Sequence, residues 1–321
     1  MDCDRETPAT RERSIWAFGG GKGGTGKTFI VANLAILLAR QGSRVIAFDG
    51  DLGGANLHTA LGMGRPTRSI SDFTRGRVAR LEEVLCPTAY DNLKVIPGAA
   101  DDFGGANPNY ALKSKLCKHL RQLDCDFLLI DLGAGTGYNV VDLFLEADVG
   151  AVVVTPEPSA VELAYRFTRA AVYRRLKLLA GLPRYEQIVD EAAAESVAGN
   201  VIRLVEGALE RIAAFDRGAA ERIEGELYQR PIKLFVNMIR DQRDQRLGAQ
   251  MCDVLNKFYG PPCEGLGALP YDERVPLAER RGEPFVLAYG SSDTAAQFAV
   301  ALQRMLAVSR DVAEGTQLRL I

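Results

Sequence analysis

The sequence predicts an α/β fold: a doubly wound, mostly parallel sheet with helices on both faces and one helical insertion. The chain has 321 residues, of which 47% are apolar and 25% charged; this balance suits a globular protein with a sizeable core. Short apolar runs alternate with longer stretches of helical periodicity, which is typical of βαβ units. Several of these runs lack a period of two, which indicates strands covered on both faces.

Seven apolar runs are predicted as strands, and longer periodic patterns between them are predicted as helices. The strands are Ser14–Phe18, Arg44–Phe48, Leu93–Pro97, Phe127–Ile130, Gly150–Thr155, Ile232–Val236 and Gly267–Leu269. The main helices are Thr28–Arg40, Tyr110–Gln122, Ser159–Leu179 and Gln242–Tyr259, with a closing helix from about Asp293.

One stretch interrupts this alternation. Residues 181–226 are rich in Ala, Glu and Arg and contain no strand pattern, while Ile202, Val205, Leu209 and Ile212 share one helical face. We therefore predict a helical insertion inside a single domain of residues 14–310. A disordered leader over residues 1–13 and a C-terminal tail over residues 311–321 complete the expected organisation.

Charge and cysteine usage exclude several classes of protein. The formal net charge is −2, so bulk charge attracts neither nucleic acid nor an acidic membrane. No apolar run reaches the roughly 18 residues of a membrane-spanning helix, and the polar start is no signal peptide. The six cysteines are scattered without a C-x-x-C pair, so we expect reduced, mostly buried thiols in a cytoplasmic protein.

A glycine-rich loop carries the strongest chemical signal. The stretch GGGKGGTGKT follows the first strand and opens a helix, and it fits the phosphate-binding pattern G-x-x-x-x-G-K-[ST]. Glycines let consecutive N–H groups turn inward around an anion, and the helix N-terminus adds positive charge. We expect Lys27 to reach the β- and γ-phosphates of a nucleotide and Thr28 to bind Mg²⁺. The predicted phosphate-binding set is Gly21, Gly23, Gly24, Thr25, Gly26, Lys27 and Thr28.

A second lysine makes the loop more specific. Lys22 stands inside KGGTGKT, which resembles the deviant Walker motif of the MinD/ParA family of ATPases. In that family the early lysine reaches the nucleotide of the other subunit of an ATP-dependent dimer. The resemblance implies a catalytic role for Lys22, since a cation that arrives on dimerisation stabilises the charge of phosphoryl transfer.

Two aspartates follow the second predicted strand, in FDGDLGGANLH from Phe48 to His58. The carboxyl ends of parallel strands are where α/β sheets bind ligands. The stretch resembles switch I of the same family, D-x-D-x-G-x-x-N. The resemblance implies that Asp51 orients the attacking water, that Asp49 supports the metal site, and that Asn56 anchors the switch. A capped turn before a helix is the alternative interpretation.

A third aspartate ends the fourth predicted strand, in DLGAGTGYN from Asp131 to Asn139. Asp131 fits a Walker B aspartate that holds Mg²⁺. Gly135 fits the switch II glycine, whose N–H meets the γ-phosphate. Two later points match the family's adenine contacts, Asn237 at the end of IKLFVN and Pro270 in GALPYDERV. Ser159 and Glu162 form an S-x-x-E pattern, for which a capping box is the favoured interpretation.

Within the family, DLGGANLHTALG, IDLGAG and VVVTPEPSAVELAYR are most similar to the flagellar-number regulators called FlhG or FleN, and next to MinD. The resemblance implies an ATP- and Mg²⁺-dependent homodimer that hydrolyses ATP and acts as a spatial regulator of flagellar placement or division-site selection. We expect a protein partner. A membrane surface at the inner face of the plasma membrane stays open as a target, although the C-terminal SRDVAEGTQLRLI lacks the basic amphipathic pattern of an anchor.

Nonspecific DNA is a less favoured target. Five residues of the long helix, Arg166, Arg169, Tyr173, Arg174 and Lys177, fall within one arc of about 140°. A solvated outer face is the favoured interpretation of this arc, and a surface for phosphate or a partner is the alternative.

Two further functions are weighed against the switch. Iron–sulfur carriers and nitrogenase-type reductases share the deviant loop but place paired cysteines at their dimer interface, whereas neither switch region here contains cysteine. A binding module with little turnover is the other alternative: ATP would order a surface for a transcription factor, or for positioning DNA or protein cargo. The helical insertion would then be the docking surface.

Overall fold

The computed structural model describes residues 13–51, 54–98, 110–197, 204–260 and 262–317. Most of the predicted leader, the last four residues and Ile202 lie outside these ranges.

The strands of the described residues form one eight-stranded sheet, which confirms the predicted fold class. The strands are β1 (Ser14–Gly19), β2 (Val45–Gly50), β3 (Cys86–Pro87), β4 (Leu93–Ile96), β5 (Phe127–Leu132), β6 (Val149–Val154), β7 (Ile232–Ile239) and β8 (Cys263–Pro270). Their order is β3-β4-β2-β5-β1-β6-β7-β8. Every neighbouring pair is parallel except β3 and β4.

Two strands differ from the prediction at the edges of the sheet. β3 has only two residues, too few for a periodic signal. β8 begins at Cys263, four residues before the predicted start, because its glycines weaken the strand pattern of the sequence.

Thirteen α-helices flank the sheet within the described ranges. They are α1 (Lys27–Arg40), α2 (Leu57–Ala60), α3 (Ile70–Thr74), α4 (Tyr110–Leu120), α5 (Tyr138–Leu145), α6 (Pro158–Ala180), α7 (Pro183–Val197), α8 (Leu204–Ala213), α9 (Arg217–Tyr228), α10 (Gln242–Tyr259), α11 (Val275–Arg281), α12 (Phe285–Ala288) and α13 (Asp293–Gln317). A single 3₁₀ turn spans Leu81–Val84.

Each face of the sheet buries its own core, and β1 contributes to both. Ile15 and Ala17 pack into the core under α5 and α6. Trp16 and Phe18 pack into the core beneath α1 and α13. Because successive strand side chains point to opposite faces, a strand covered on both faces must be apolar at every position, which explains the unbroken apolar runs.

The predicted insertion folds as α7, α8 and α9, which pack on one another and on α6. Val205 and Ile212 are buried as the shared apolar face predicted, and Leu209 is half-buried. The insertion thus adds a helical layer outside α6 rather than another strand.

Most residues of the basic arc of α6 pair with neighbouring helices, so the interpretation as a solvated face is wrong for them, and a surface for phosphate or a partner stays a prediction. Arg169 donates to the carbonyl of Ala193 and to Ser196 on α7. Tyr173 and Lys177 bind Asp190, also on α7, and Arg174 binds Asp142 on α5. Arg166 pairs along its own helix with Glu162, and the ammonium of Lys177 lies over the Tyr173 ring, 5.8 Å from its centroid. The cations of the arc attach the insertion and α5 to α6.

The capping box predicted at Ser159 is also wrong. Helix α6 begins one residue earlier, with Pro158 in its first turn, and its N-cap residue Glu157 makes no side-chain cap. Proline suits the first position of a helix because that position needs no N–H donor. Ser159 and Glu162 are therefore free for the contacts with Lys22 and Arg166.

Candidate functional site

The glycine-rich loop leaves the carboxyl end of β1, between β5 and β6 in the centre of the sheet. At least three of its glycines are required by their surroundings. A Cβ on Gly20 would lie 2.8 Å from the carbonyl oxygen of Val153. A Cβ on Gly21 would lie 2.2 Å from the carbonyl oxygen of Leu163. Gly26 has a φ of +87° and caps α1, and its Cβ would lie 2.2 Å from Nδ2 of Asn237. The loop is therefore held against α6 on one side and against the end of β7 on the other.

The two lysines of the loop occupy different environments. Lys27 is buried, and its Nζ donates to the carbonyl of Lys22 at 3.3 Å. Burial lowers the pKa of Lys27, although the nearby carboxylates of Asp131 and Asp51 oppose the shift. Lys22 instead extends toward α6, where its Nζ donates to Ser159 Oγ at 3.0 Å and lies 3.6 Å from Glu157. Lys22 thus contacts its own α6.

Two buried carboxylates lie beneath the loop. Asp49 on β2 accepts the N–H groups of Leu57 (3.0 Å) and Asp51 (3.2 Å). Burial raises the pKa of Asp49 to about 6. Asp131 on β5 is buried more completely with both carboxylate oxygens unpaired among the described residues, and burial raises its pKa to about 7. The Thr28 hydroxyl partly offsets this rise, although its hydrogen bond goes to Asn56 Oδ1, 3.1 Å away.

The two switch segments contact the loop in this structure. The hydroxyl of Thr28 and the amide oxygen of Asn56 join α1 to the segment after β2. Asp51 accepts the N–H of Gly54 at 3.0 Å and lies against Gly133. Gly135, at a φ of +107°, donates its N–H to the carbonyl of Gly20 at 3.2 Å. The N–H predicted to meet a γ-phosphate is therefore bound to the loop itself.

A cavity of about 380 Å³ opens above these groups, which is within the range of small-ligand sites. The residues predicted from the sequence that line it are Gly23, Gly24, Gly26, Lys27, Thr28, Asp51, Asn56, Asn237 and Pro270. The remaining predicted residues support the loop or lie behind the residues that line the cavity. They are Gly21, Lys22, Thr25, Asp49, Asp131 and Gly135.

Asn237 has a structural contact that the sequence does not reveal. Its Nδ2 donates to the carbonyl of Thr25 at 2.9 Å, and its Oδ1 accepts the N–H of Met238 at 2.9 Å. The amide predicted to read adenine therefore also ties β7 to the glycine-rich loop. Met238 itself has a φ of +61°, rare for a residue with a side chain.

Several cavity residues were missed by sequence reasoning. They are Phe29, Leu132, Ala134, Met238, Tyr271, Asp272, Val275, Pro276 and Glu279. The segment from Tyr271 to Glu279 directly follows Pro270. Its closeness in sequence to this predicted residue was the signal that could have placed it at the site. Tyr271 stacks under Arg240, whose guanidinium lies 4.1 Å from the ring centroid.

The donors beneath the loop fit Mg²⁺. The unpaired buried oxygens of Asp131 lack the partners that buried carboxylates normally have. Asp49 and the Thr28 hydroxyl add further oxygen donors, and oxygen is the ligand that Mg²⁺ prefers. A divalent cation would offset the charge that burial makes unfavourable in this cluster.

The chain resembles known proteins along most of its length. It is 25% identical over 294 residues to the antiactivator FleN of Pseudomonas aeruginosa, covering 91% of this chain and 85% of FleN. It is 34% identical over 150 residues to the flagellum site-determining protein YlxH of Helicobacter pylori, covering 45% of this chain and 49% of YlxH.

A solved structure shares the fold. The septum site-determining protein MinD from Pyrococcus horikoshii, complexed with Mg-ADP, superposes with a TM-score of 0.58 at 22% identity. The match covers 92% of this chain and 96% of that protein. Residues 16–285 match the family described as the CobQ/CobB/MinD/ParA nucleotide binding domain. This range holds the glycine-rich loop, the three aspartates and the cavity, and the chain belongs to the CobQ/CobB/MinD/ParA family.

Proposed function

We propose that this protein binds and hydrolyses ATP with Mg²⁺ and acts as a dimeric switch in spatial regulation. One observation carries the proposal: the buried carboxylates Asp49 and Asp131 are register partners on β2 and β5, and Asp131 acts on the buried ammonium of Lys27 at the start of α1. Buried carboxylates and an ammonium group below a glycine-rich loop suit a metal–phosphate complex, and both carboxylate oxygens of Asp131 lack a partner among the described residues. The flagellum site-determining relative YlxH supports a role in flagellar placement, and the antiactivator FleN supports a regulatory role.

In this proposal the loop residues bind the phosphates. The phosphate charge is neutralised by the N–H groups from Gly21 to Thr28 and by the ammonium of Lys27. Mg²⁺ would be held by Thr28, Asp49 and Asp131, and it would shield the charge of the β- and γ-phosphates. Asp51 orients the water that attacks the γ-phosphate, and Gly135 exchanges its bond to Gly20 for that phosphate. The wall that contacts the adenine base of ATP is formed by Met238, Asn237 and Pro270.

The dimer explains the position of Lys22. Its ammonium is held by Ser159 and Glu157 of its own chain, through contacts that are only partly shielded from solvent. Exposed ion pairs of this kind contribute about 0–1 kcal/mol, so they are exchanged easily. We propose that Lys22 leaves them to reach the nucleotide of a second copy, which joins ATP binding to dimerisation and dimerisation to hydrolysis.

Light scattering combined with size-exclusion chromatography tests this switch. The wild type should dimerise transiently in Mg-ATP and stay monomeric in Mg-ADP. Asp51→Ala should bind ATP, lose phosphate release and remain dimeric. Lys22→Ala should bind ATP but neither dimerise nor release phosphate, while the exposed Lys118→Ala serves as the matched control and should match the wild type. Normal dimerisation and turnover in Lys22→Ala would overturn the mechanism.

The target of the switch is tested separately. None of the helices within the described residues is long and apolar enough to cross a membrane. We propose a cytoplasmic protein that reaches its target as the ATP-bound dimer. Asp51→Ala should be mixed with liposomes in Mg-ATP and in Mg-ADP and sedimented. Sedimentation in Mg-ATP alone identifies a membrane target, and none with either nucleotide directs the search to protein partners and DNA.

A binding module with little turnover is the second candidate, and a cleft in the insertion favours it. The cleft, about 420 Å³, lies between α8, α9 and the end of α10. Val205, Leu209 and Ala220 line it, and Glu210 and Glu224 stand at its rim. ATP-dependent dimerisation of the wild type with no phosphate release above the Asp51→Ala background would favour the module over the ATPase.

A further inference from the structure

Two buried cysteines meet at the edge of the sheet, far from the glycine-rich loop in the sequence. Cys252 lies on α10 and Cys263 opens β8, and their Sγ atoms are 2.8 Å apart. They are 6% and 4% exposed, respectively. Both are free thiols in this structure. This separation is shorter than two unbonded sulfur atoms adopt when they pack, and it exceeds the roughly 2.05 Å of a disulfide bond.

The backbone between them fixes this proximity. Gly260, at a φ of +90°, ends α10 and lets the chain turn back, and a Cβ there would lie 2.8 Å from Val205. Asn256, one turn after Cys252, accepts the N–H of Cys263 with its side chain and donates to the carbonyl of Cys263 at 3.3 Å. The same face of α10 therefore holds both the backbone and the thiol of Cys263.

The surroundings also favour a reactive thiol. The hydrogen bond with Cys263 lowers the pKa of Cys252, and Lys233 on the adjacent strand β7 adds to this effect, whereas burial, Asp253 and Glu264 oppose it. The same hydrogen bond raises the pKa of Cys263. Lys233 is buried and paired with Glu264, next to Cys263. Burial raises the pKa of Cys117 to about 11 and of Cys125 to about 12. Among the described cysteines, only Cys252 and Cys263 contact each other.

We propose that Cys252 and Cys263 form a reversible thiol-modification site, oxidised to a disulfide by small-molecule disulfides such as oxidised glutathione. The Cys252 thiolate attacks one sulfur of the oxidant, forms a mixed disulfide and releases one glutathione thiolate. Cys263 then loses its proton, attacks the Cys252 sulfur and releases the second. Two protein thiols are oxidised by two electrons, and one oxidised glutathione becomes two reduced molecules. Intracellular disulfides of this kind are typically transient and redox-sensing.

The bond would join α10 to the edge strand β8 and close the short loop of residues 253–262. Closing a loop restrains the unfolded chain, so the oxidised protein should unfold at a higher temperature. Nucleotide binding should not change. Cys263 is separated from Pro270, at the cavity, by the full length of β8, about 23 Å at the usual rise per residue.

The test uses the full chain, refolded from denaturant in glutathione buffers of decreasing reduced-to-oxidised ratio, so that burial does not block access. Oxidised samples should lose about 2 Da, and alkylation under denaturing conditions should find four of the six thiols free (6 − 2). Peptide mapping should link Cys252 to Cys263, and the unfolding temperature should rise by about 5 °C. Excess dithiothreitol should restore six thiols.

Two variants keep the outcome specific. Cys252→Ser should not lose about 2 Da or gain thermal stability on oxidation, and Cys117→Ser should behave like the wild type. Six free thiols in the most oxidising buffer would overturn the proposal. A disulfide mapped to any other pair of cysteines would also overturn it.

Discussion

Asp49 and Asp131 are register partners on the adjacent parallel strands β2 and β5. Both are buried, and burial raises the pKa values of their carboxyl groups to about 6 and about 7. The charges of Asp49 and Asp51 also raise the pKa of Asp131, and the charge of Asp51 raises that of Asp49, because like charges oppose ionisation. The nucleotide-free fold is therefore less stable than it would be with neutral residues here, as expected of a site built for a cation.

Removing one of these charges should stabilise the empty protein. Because the folded-state pKa of Asp131 is raised to about 7, the fold loses stability as the pH rises from about 4 to about 7, and the full loss is present at pH 8. Asp131→Asn should therefore raise the free energy of unfolding by about 1–3 kcal/mol at pH 8 in EDTA. The same variant should lose the further thermal stabilisation that Mg-ATP gives the wild type. Thermal unfolding with and without Mg-ATP checks both parts, and a destabilised empty variant would contradict the first.

Gly26→Ala should prevent nucleotide binding while leaving the domain folded. The new Cβ would meet Nδ2 of Asn237 at 2.2 Å and would require a φ of +87°. A non-glycine residue in this conformation costs about 1–2 kcal/mol before any clash is counted. Fluorescent-nucleotide titration should show at least a tenfold loss of affinity. Gly42→Ala is the matched control: it has a φ of +85° with open space around its Cβ and lies outside the cavity, so it should bind nucleotide like the wild type.

The insertion should depend on Asp190 for its attachment. Asp190 on α7 binds both Tyr173 and Lys177 of α6. Asp190→Asn should lower the free energy of unfolding by about 1 kcal/mol, since the pairs are partly exposed. Glu162→Gln is the matched control: it breaks the fully surface pair with Arg166 and should change stability by less than about 0.5 kcal/mol. Urea unfolding measures both, and equal effects would contradict the assignment.

Asp272 should produce an acid-dependent loss of stability. It accepts hydrogen bonds from Arg274 and from Thr294 Oγ1, and the Arg274 side chain lowers the pKa of Asp272 to about 2. A lowered folded-state pKa stabilises the fold above the unfolded value and loses this contribution as the pH falls through about 2.

Asp272→Asn should therefore be less stable than the wild type by about 1 kcal/mol at pH 7, after allowance for solvent screening. The difference should shrink below pH 4 and vanish near pH 2. Denaturant unfolding at several pH values measures it. Asp91→Asn, at an exposed aspartate, should show no such pH dependence.

Local spacing made the phosphate-binding loop predictable. A loop that follows a strand and opens a helix needs only neighbouring residues to be recognised, and the structure places Gly20 to Gly26 between β1 and α1 as expected. The same applies to the central strands, whose unbroken apolar runs reflect a core on each face. Short edge elements such as β3 carried too few residues for any periodic signal.

Contacts between distant segments were not predictable in this way. The S-x-x-E pattern at Ser159 suits a helix cap, but the hydroxyl binds Lys22, 137 residues away. The arc of cations on α6 is typical of a solvated surface, but Lys177 pairs with Asp190 on α7 and Arg174 pairs with Asp142 on α5. In both cases a charged side chain, Lys22 or a cation of the arc, finds its partner in a group that the fold brings close.

The sequence by itself determined the alternation of strands and helices, the loop, and the order of the aspartates along the chain, because these depend on residues close in sequence. Only the tertiary structure decided which groups share a site. The register of β2 against β5 sets Asp49 beside Asp131, β7 brings Asn237 to the loop, and the turn at Gly260 brings Cys263 to Cys252. Burial changes the pKa values of the two aspartates and of the two cysteines, and it arises only when the helices pack on the sheet.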